Sequence, residues 1–397
     1  LLWSAIVLIG SRVYRTPWAV AALAALVSMR HRNAETSANT LEPYFHPRML
    51  AFGCGALAVA MLLRRRPWAA VAFVAAAAPI HITTALWFAV LIGVSLAVLD
   101  DGFRRLVAAG AVIAAAVLAL AVALGPLRGT LTVMDEVWLQ AVASKDSLLA
   151  TGWPAFAWVL NLGTLALVWW MHHVRRARGQ ATPEDAALVW GATGLVALFL
   201  VTLPLVAARL ALPVQFQIPR VFWLVDFVAA VYVAGVVADR PSAFRPAAIA
   251  ALVIVAIAAS RGAYVMLVVR PDRALFETRL PDTPWRDAME WLREQPAGVH
   301  VLADPGHAWK YGASVRVAAA RDVFLEEEKD SALAIYSRDV AVRVVERTGA
   351  IGDFGALTAE RARELASAYD LDYLVTEADL PLTPAYRNEQ FRIYALR

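Results

Sequence analysis

The chain has 397 residues, of which 60% are hydrophobic and 18% charged, with 14 Trp and a mean hydropathy of +0.57. A soluble domain carries roughly 25% charged residues, so composition excludes a soluble globular enzyme, a disordered chain and a disulfide-stapled module. The net charge of +4 is split: residues 1–270 hold 21 basic and 11 acidic side chains, residues 271–397 hold 16 and 22. The reading is a polytopic membrane region, 1–270, followed by a soluble domain, 271–397.

The apolar runs are Leu1–Gly10, Pro17–Met29, Met49–Leu63, Trp68–Leu99, Leu106–Leu124, Trp153–Met171, Ala186–Ala207, Val221–Val237 and Ala247–Val269. A spanning helix needs about 20 apolar residues. Trp68–Leu99 is too long for one pass and is interrupted at Pro79-Ile80-His81, so it divides into Trp68–Ala78 and Ile80–Leu99. That gives about 9–10 membrane segments. The chain starts inside an apolar run with neither Met nor a cleavable leader, which reads as a truncation. Cys54 stands alone, so disulfides and thiolate metal sites are not expected.

The split also satisfies the positive-inside rule. With Arg64-Arg65-Arg66 and the Arg175–Arg178 stretch both in the cytoplasm, the inner loops carry 12 Lys/Arg in about 38 residues and the outer loops 7 in about 66. The outer connections are then 30–48, 79–84, 125–152 and 208–220, and the 271–397 domain emerges on the same side. The basic excess therefore reads as a topology signal and implies no nucleic-acid partner.

The C-terminal domain reads as α/β. Asp282-Thr283-Pro284 opens a helix running to about Gln295, and Val299–Ala303 is a strand stopped by Asp304-Pro305-Gly306. Ala313–Ala320 is expected as a second strand. Glu327–Arg347 is expected as one helix with Leu333, Tyr336, Val340 and Val344 on one face, after a solvated Glu326-Glu327-Glu328 start. A capped helix over Thr358–Tyr369 and strands at Tyr373–Thr376 and Phe391–Leu396 complete the domain.

Several residues stand out as candidates for chemistry. Asp226 and Arg261 are ionisable groups inside apolar runs. From their helix ends their depths differ by about 4–5 Å at about 1.5 Å rise per residue, so they are expected to pair. Such a pair is either a polar cavity floor or a structural ion pair. The loop Glu42-Pro43-Tyr44-Phe45-His46-Pro47-Arg48 offers His46 and Arg48 to an anionic group, or serves as an interfacial anchor. His81 falls at the turn between two short passes, on the face that His46 and Arg48 should reach. Arg220, ending Gln215-Phe216-Gln217-Ile218-Pro219-Arg220, is the preferred phosphate contact, because an Arg fork matches phosphate oxygens bidentately. Asp135-Glu136 is a weak divalent-metal candidate or simply a solvated helix start. Walker-type loops, His-Glu-x-x-His and serine elbows are absent from the sequence.

Phe45-His46-Pro47-Arg48, the Pro79-Ile80-His81 turn, and Thr283-Pro284-Trp285…Trp291-Leu292-Arg293 leading into Val301-Leu302-Ala303-Asp304-Pro305 resemble the GT-C class of polytopic membrane glycosyltransferases. That resemblance implies a bacterial inner-membrane protein that transfers a sugar from a polyprenyl-phosphate donor to a lipid, glycan or protein at the outer face. It also implies a catalytic acidic residue in the first outer loop, upstream of Leu1. Membrane lipids and the prenyl-linked donor are the implied partners, and a divalent metal is the one cofactor it leaves open. A non-catalytic assembly or export factor and a secondary transporter are the alternatives.

Overall fold

Apolar runs become helices whose ends fall at prolines, caps and charges. In the computed structural model, which describes residues 1–29, 31–42, 46–240, 243–271 and 282–397, the chain is mostly helical. Its contacts divide it into two compact units. The first is Leu1–Val133 with Lys145–Leu275, and the second is Met134–Ser144 with Phe276–Arg397.

Among the described residues of the first unit, six helices are long and apolar enough to cross a membrane: Ile82–Leu99, Asp101–Ala123, Ala155–Ala177, Pro183–Ala207, Ala211–Ala238 and Arg245–Val269. Four shorter apolar helices, Leu2–Val13, Pro17–Ser28, Pro47–Leu63 and Pro67–Ala77, accompany them. The expected split is present: one helix stops at Ala77 and the next starts at Ile82. Pro17, Pro47, Pro67 and Pro183 each open a helix, where the missing N–H costs nothing and the fixed φ suits the first turn. Thr182 and Asp185 form a reciprocal capping box. The helix Asp101–Ala123 buries none of its residues. So large an apolar surface is unfavourable in water and suits lipid contact.

The centre of this unit is the helix Val221–Ala238. Phe52 stacks on its Trp223 at 4.1 Å between ring centroids and meets Phe227 and Phe88 edge-on. Gly55 makes room for this cluster, since a Cβ there would lie 2.1 Å from the Phe88 ring. At the other end of the helix the packing becomes polar. Arg175, one of the basic residues placed by sequence in an inner connection, is 1% exposed. Its Nη2 lies 3.6 Å from Asp185 Oδ2 and donates to Gln180 O at 3.2 Å. Tyr232 OH donates to Asp185 O at 2.7 Å, and Asp239 accepts the backbone N–H groups of Arg15 and Thr16.

The second unit holds a five-stranded sheet. In sheet order the strands are Asp322–Val323, His300–Leu302, Tyr373–Thr376, Arg392–Ala395 and Pro384–Arg387. The first three run parallel, and Arg392–Ala395 is antiparallel to both of its neighbours, Tyr373–Thr376 and Pro384–Arg387. Trp285, Met289 and Leu292 of the helix Pro284–Glu294 pack with Val301, Val375 and Ile393 to form the core. Thr283 caps that helix, and Thr358 caps the helix Ala359–Tyr369, both as expected.

Three expectations fail here. Ala313–Ala320 is not a strand: Ser314 caps a short helix, Val315–Ala318, and the strand follows at Asp322. Glu327–Arg347 is two helices, Glu327–Ala334 and Arg338–Ile351, because the Ser337 hydroxyl accepts from Val340 N–H and starts a new one. Leu333 and Tyr336 are therefore exposed and do not share a buried face with Val344. Glu326 is not solvated but 2% exposed, with Oε2 3.5 Å from Arg316 Nη1.

Candidate functional site

Three helix N-termini meet around His81, and each brings a basic side chain. His46 is the N-cap of Pro47–Leu63, with Nδ1 accepting from Arg48 N–H at 3.2 Å. His81 is the N-cap of Ile82–Leu99, with Nδ1 accepting from Thr84 N–H at 3.3 Å and lying 2.9 Å from Thr84 Oγ1. An imidazole whose Nδ1 accepts a backbone N–H carries its neutral-state proton on Nε2, so both rings present Nε2–H as a donor. The two rings lie 6.2 Å apart, edge to face. Arg220 ends the 3-10 turn Ile218–Arg220 and is the N-cap of Val221–Ala238. The left-handed backbone of Gln217, φ 52°, sets that turn.

The electrostatics of His81 register this convergence. Burial first, then the positive charges of Arg220, His46 and Arg48, push its ring down to about 4. At neutral pH it is an uncharged donor among cations. The N-termini add the positive ends of three helix dipoles. Such an arrangement can hold an anion of phosphate size.

Three of the sequence candidates for a phosphate contact, Arg220, His46 and Arg48, thus act electrostatically on the fourth, His81. Arg48 is already engaged: its Nη2 donates to Glu42 Oε1 at 2.5 Å, and the Glu42 side chain is 1% exposed. The arginine that looked like a membrane-surface clamp is partly neutralised by a buried carboxylate, which also accepts from Asn39 Nδ2 at 3.2 Å. Pro43, Tyr44 and Phe45 of the same expected loop lie outside the described residues.

The expected Asp226–Arg261 ion pair is replaced by another. Asp226 Oδ1 lies 2.8 Å from His31 Nε2, and Thr40 Oγ1 reaches His31 Nδ1 at 2.9 Å and Asp226 Oδ2 at 3.3 Å. The bond to Asp226 raises the His31 pKa above the ordinary histidine value, against burial and the opposing charge of Arg261. Arg261 is therefore in the neighbourhood, as the depth estimate implied, but a loop histidine takes the carboxylate. The usable signal was an acid near a helix end facing a loop that contains His31.

Asp135 and Glu136 stand at the start of a helix. Asp135 caps the helix Glu136–Ala141 by accepting from Trp138 N–H at 3.0 Å, and it pairs with Arg338 Nη2 at 2.6 Å. These bonds lower its pKa and commit both its oxygens. Among the described residues no group of three or more His, Cys, Asp or Glu is placed to hold a metal ion. Asp304 forms a turn, accepting from Gly306 N–H at 2.8 Å and pairing with Lys310. No model of a known protein family matches this chain, and no match was found among curated proteins.

Proposed function

We propose that this protein is a GT-C-like membrane glycosyltransferase, with the site around His81 binding the phosphate of a polyprenyl-phosphate-linked sugar at the outer face of a bacterial cytoplasmic membrane. The observation that carries the reading is the shared action of Arg220, His46 and Arg48 on the His81 ring, at the head of helices apolar enough to accompany a prenyl chain. Sidedness rests on the distribution of arginines among the connections. The soluble α/β unit then lies on the same side as the site.

In transfer, the bond between the anomeric carbon and the phosphate oxygen breaks and its electron pair stays on the phosphate. A nucleophilic group of the lipid, glycan or protein acceptor bonds to that carbon and passes its proton to a carboxylate base, the acidic residue that the GT-C resemblance implies. Arg220 opposes the growing negative charge directly, and the Nε2–H groups of His81 and His46 supply hydrogen bonds that strengthen as that charge develops. Arg48, held by Glu42, contributes less.

The test is transfer from a radiolabelled undecaprenyl-phosphate sugar to membrane acceptors by the protein in nanodiscs. The expected result is transfer by the unaltered protein and loss in Arg220→Ala, with thermal unfolding unchanged. Transfer of equal rate in Arg220→Ala removes the site from the reaction. Donor binding without transfer, under conditions that supply every acceptor class, favours a carrier or assembly role.

A further inference from the structure

The second unit contains a cleft of about 1150 Å³ that the site around His81 does not use. Its position follows from topology. The first parallel strand, His300–Leu302, is central; the chain then lays Asp322–Val323 on one side of it and Tyr373–Thr376 on the other. The winding reverses between the first and third of these strands. In open α/β sheets the loops beyond the strand carboxyl ends diverge at such a switch point and leave a ligand crevice. Here those loops carry Asp304 and Gly306 after one strand and Glu377 after the other, and all three line the cleft.

The lining selects a ligand class. Four carboxylates, Asp304, Glu327, Asp353 and Glu377, face a single cation, Lys310, which Asp304 already holds. That excess repels phosphates and other anions. The carboxylates are spread over three loops and a helix start, and no three acidic or histidine groups among the described residues are placed to hold a metal ion. Dispersed acceptors suit a ligand with dispersed donors. Tyr311 stands beside Glu377 in the lining, its ring fixed by stacking on Trp285 at 4.6 Å. Phe354 is a half-buried ring in the same wall, where the C–H face of a sugar would lie. Pockets for compact organic ligands are roughly 300–1,000 Å³, so this one has room for more than one ring.

We propose that the cleft at the switch point between His300–Leu302 and Tyr373–Thr376 is a binding site for an uncharged glycan, recognised through Glu377 and Tyr311. This site is independent of the phosphate site and does not rest on the transferase reading. One position allows it to be blocked cleanly. Gly349 lines the cleft from the helix Arg338–Ile351, and a Cβ there meets nothing within 4 Å. A side chain at 349 therefore starts from open space at the wall of the cleft.

The test uses the full chain in sugar-free nanodiscs and saturation-transfer NMR. The probes are the methyl glycosides of glucose, mannose, galactose and N-acetylglucosamine, with glucose 6-phosphate and spermidine as charged counterparts. The expected result is saturation of at least one neutral glycoside. It should be lost in Gly349→Trp, weakened about tenfold in Glu377→Gln, as loss of a charge-assisted hydrogen bond implies, and unchanged in Arg220→Ala. The phosphorylated sugar should give no signal. The proposal is overturned if no neutral glycoside binds, if binding survives in a folded Gly349→Trp protein, or if glucose 6-phosphate or spermidine binds more tightly. Glu377 is exposed, so Glu377→Gln keeps the question open to measurement should Gly349→Trp fail to fold.

Discussion

His31 and Asp226 form a pair that joins the first long connection to the central helix, with Nε2 2.8 Å from Oδ1. When His31 is protonated, its Nδ1–H donates to Thr40 Oγ1 and the Thr40 hydroxyl donates to Asp226 Oδ2. Every polar atom in the triangle is then satisfied.

This arrangement gives a pH dependence with a definite sign. The docked His31 pKa is raised, chiefly by the hydrogen bond to Asp226. Docking is therefore fully favoured below the free histidine value of about 6.5, and it is lost as pH rises through the higher docked value. Hydrogen exchange of residues 31–42, corrected for intrinsic rates, should show protection at pH 6 that falls on going to pH 9. Asp226→Asn should flatten the profile, and protection that grows with pH would contradict it.

His307 behaves in the opposite sense. It is fully buried; Nδ1–H donates to Asp304 O at 2.6 Å and Nε2 accepts from Val315 N–H at 3.2 Å, which fixes one neutral tautomer. Burial is the main cause of its lowered pKa. Its contribution is complete above about pH 6.5 and is lost as pH falls toward the lower folded value. Acid should loosen the α/β unit, seen as a fall in its melting temperature between pH 7 and pH 5. A melting temperature that is flat or rises over that interval would remove His307 from this role.

Gly235 and Arg175 depend on each other. A Cβ at 235 would lie 2.6 Å from Arg175 Nη1 and 3.1 Å from the Tyr14 ring, and Arg175 is 1% exposed. Gly235→Ala should lower stability, and Arg175→Ala should cost about 3–5 kcal/mol by leaving Asp185 buried without its counter-charge. Unfolding in mixed micelles measures both. A double variant whose loss equals the sum of the two single losses would show that the residues are not coupled.

Arg220 and His81 are linked by charge. In Arg220→Gln the His81 pKa should rise from about 4 toward the ordinary value, yet stay below it because burial is the larger cause. An NMR titration of the His81 ring reads this directly. An unmoved titration would place Arg220 too far away to share a ligand with His81.

The apolar helices were legible from run length, and the break before Ile82 from Pro79 and from the count of arginines per side. The nearness of His46 to His81 was legible in outline, since each stands at the start of a helix. The Glu42–Arg48 pair, the His31–Asp226 pair and the burial of Arg175 were not, because each depends on packing between segments far apart in sequence. In the α/β unit the capping residues Thr283 and Thr358 were read correctly. Ser314 and Ser337 are caps of the same kind, but β-rich and helical flanks concealed them, and with them the strand and helix boundaries. The edge strand Pro384–Arg387 was missed because it buries little and its pairing with Arg392–Ala395 is interrupted by a bulge.

The most direct test of the anion site is native mass spectrometry of the nanodisc protein with undecaprenyl phosphate and with undecaprenol, which differ only in the phosphate. The account predicts retention of the phosphate over the alcohol, with that preference abolished in Arg220→Ala and reduced in His81→Ala. Equal retention of the two lipids, or a phosphate preference untouched by Arg220→Ala, would contradict it.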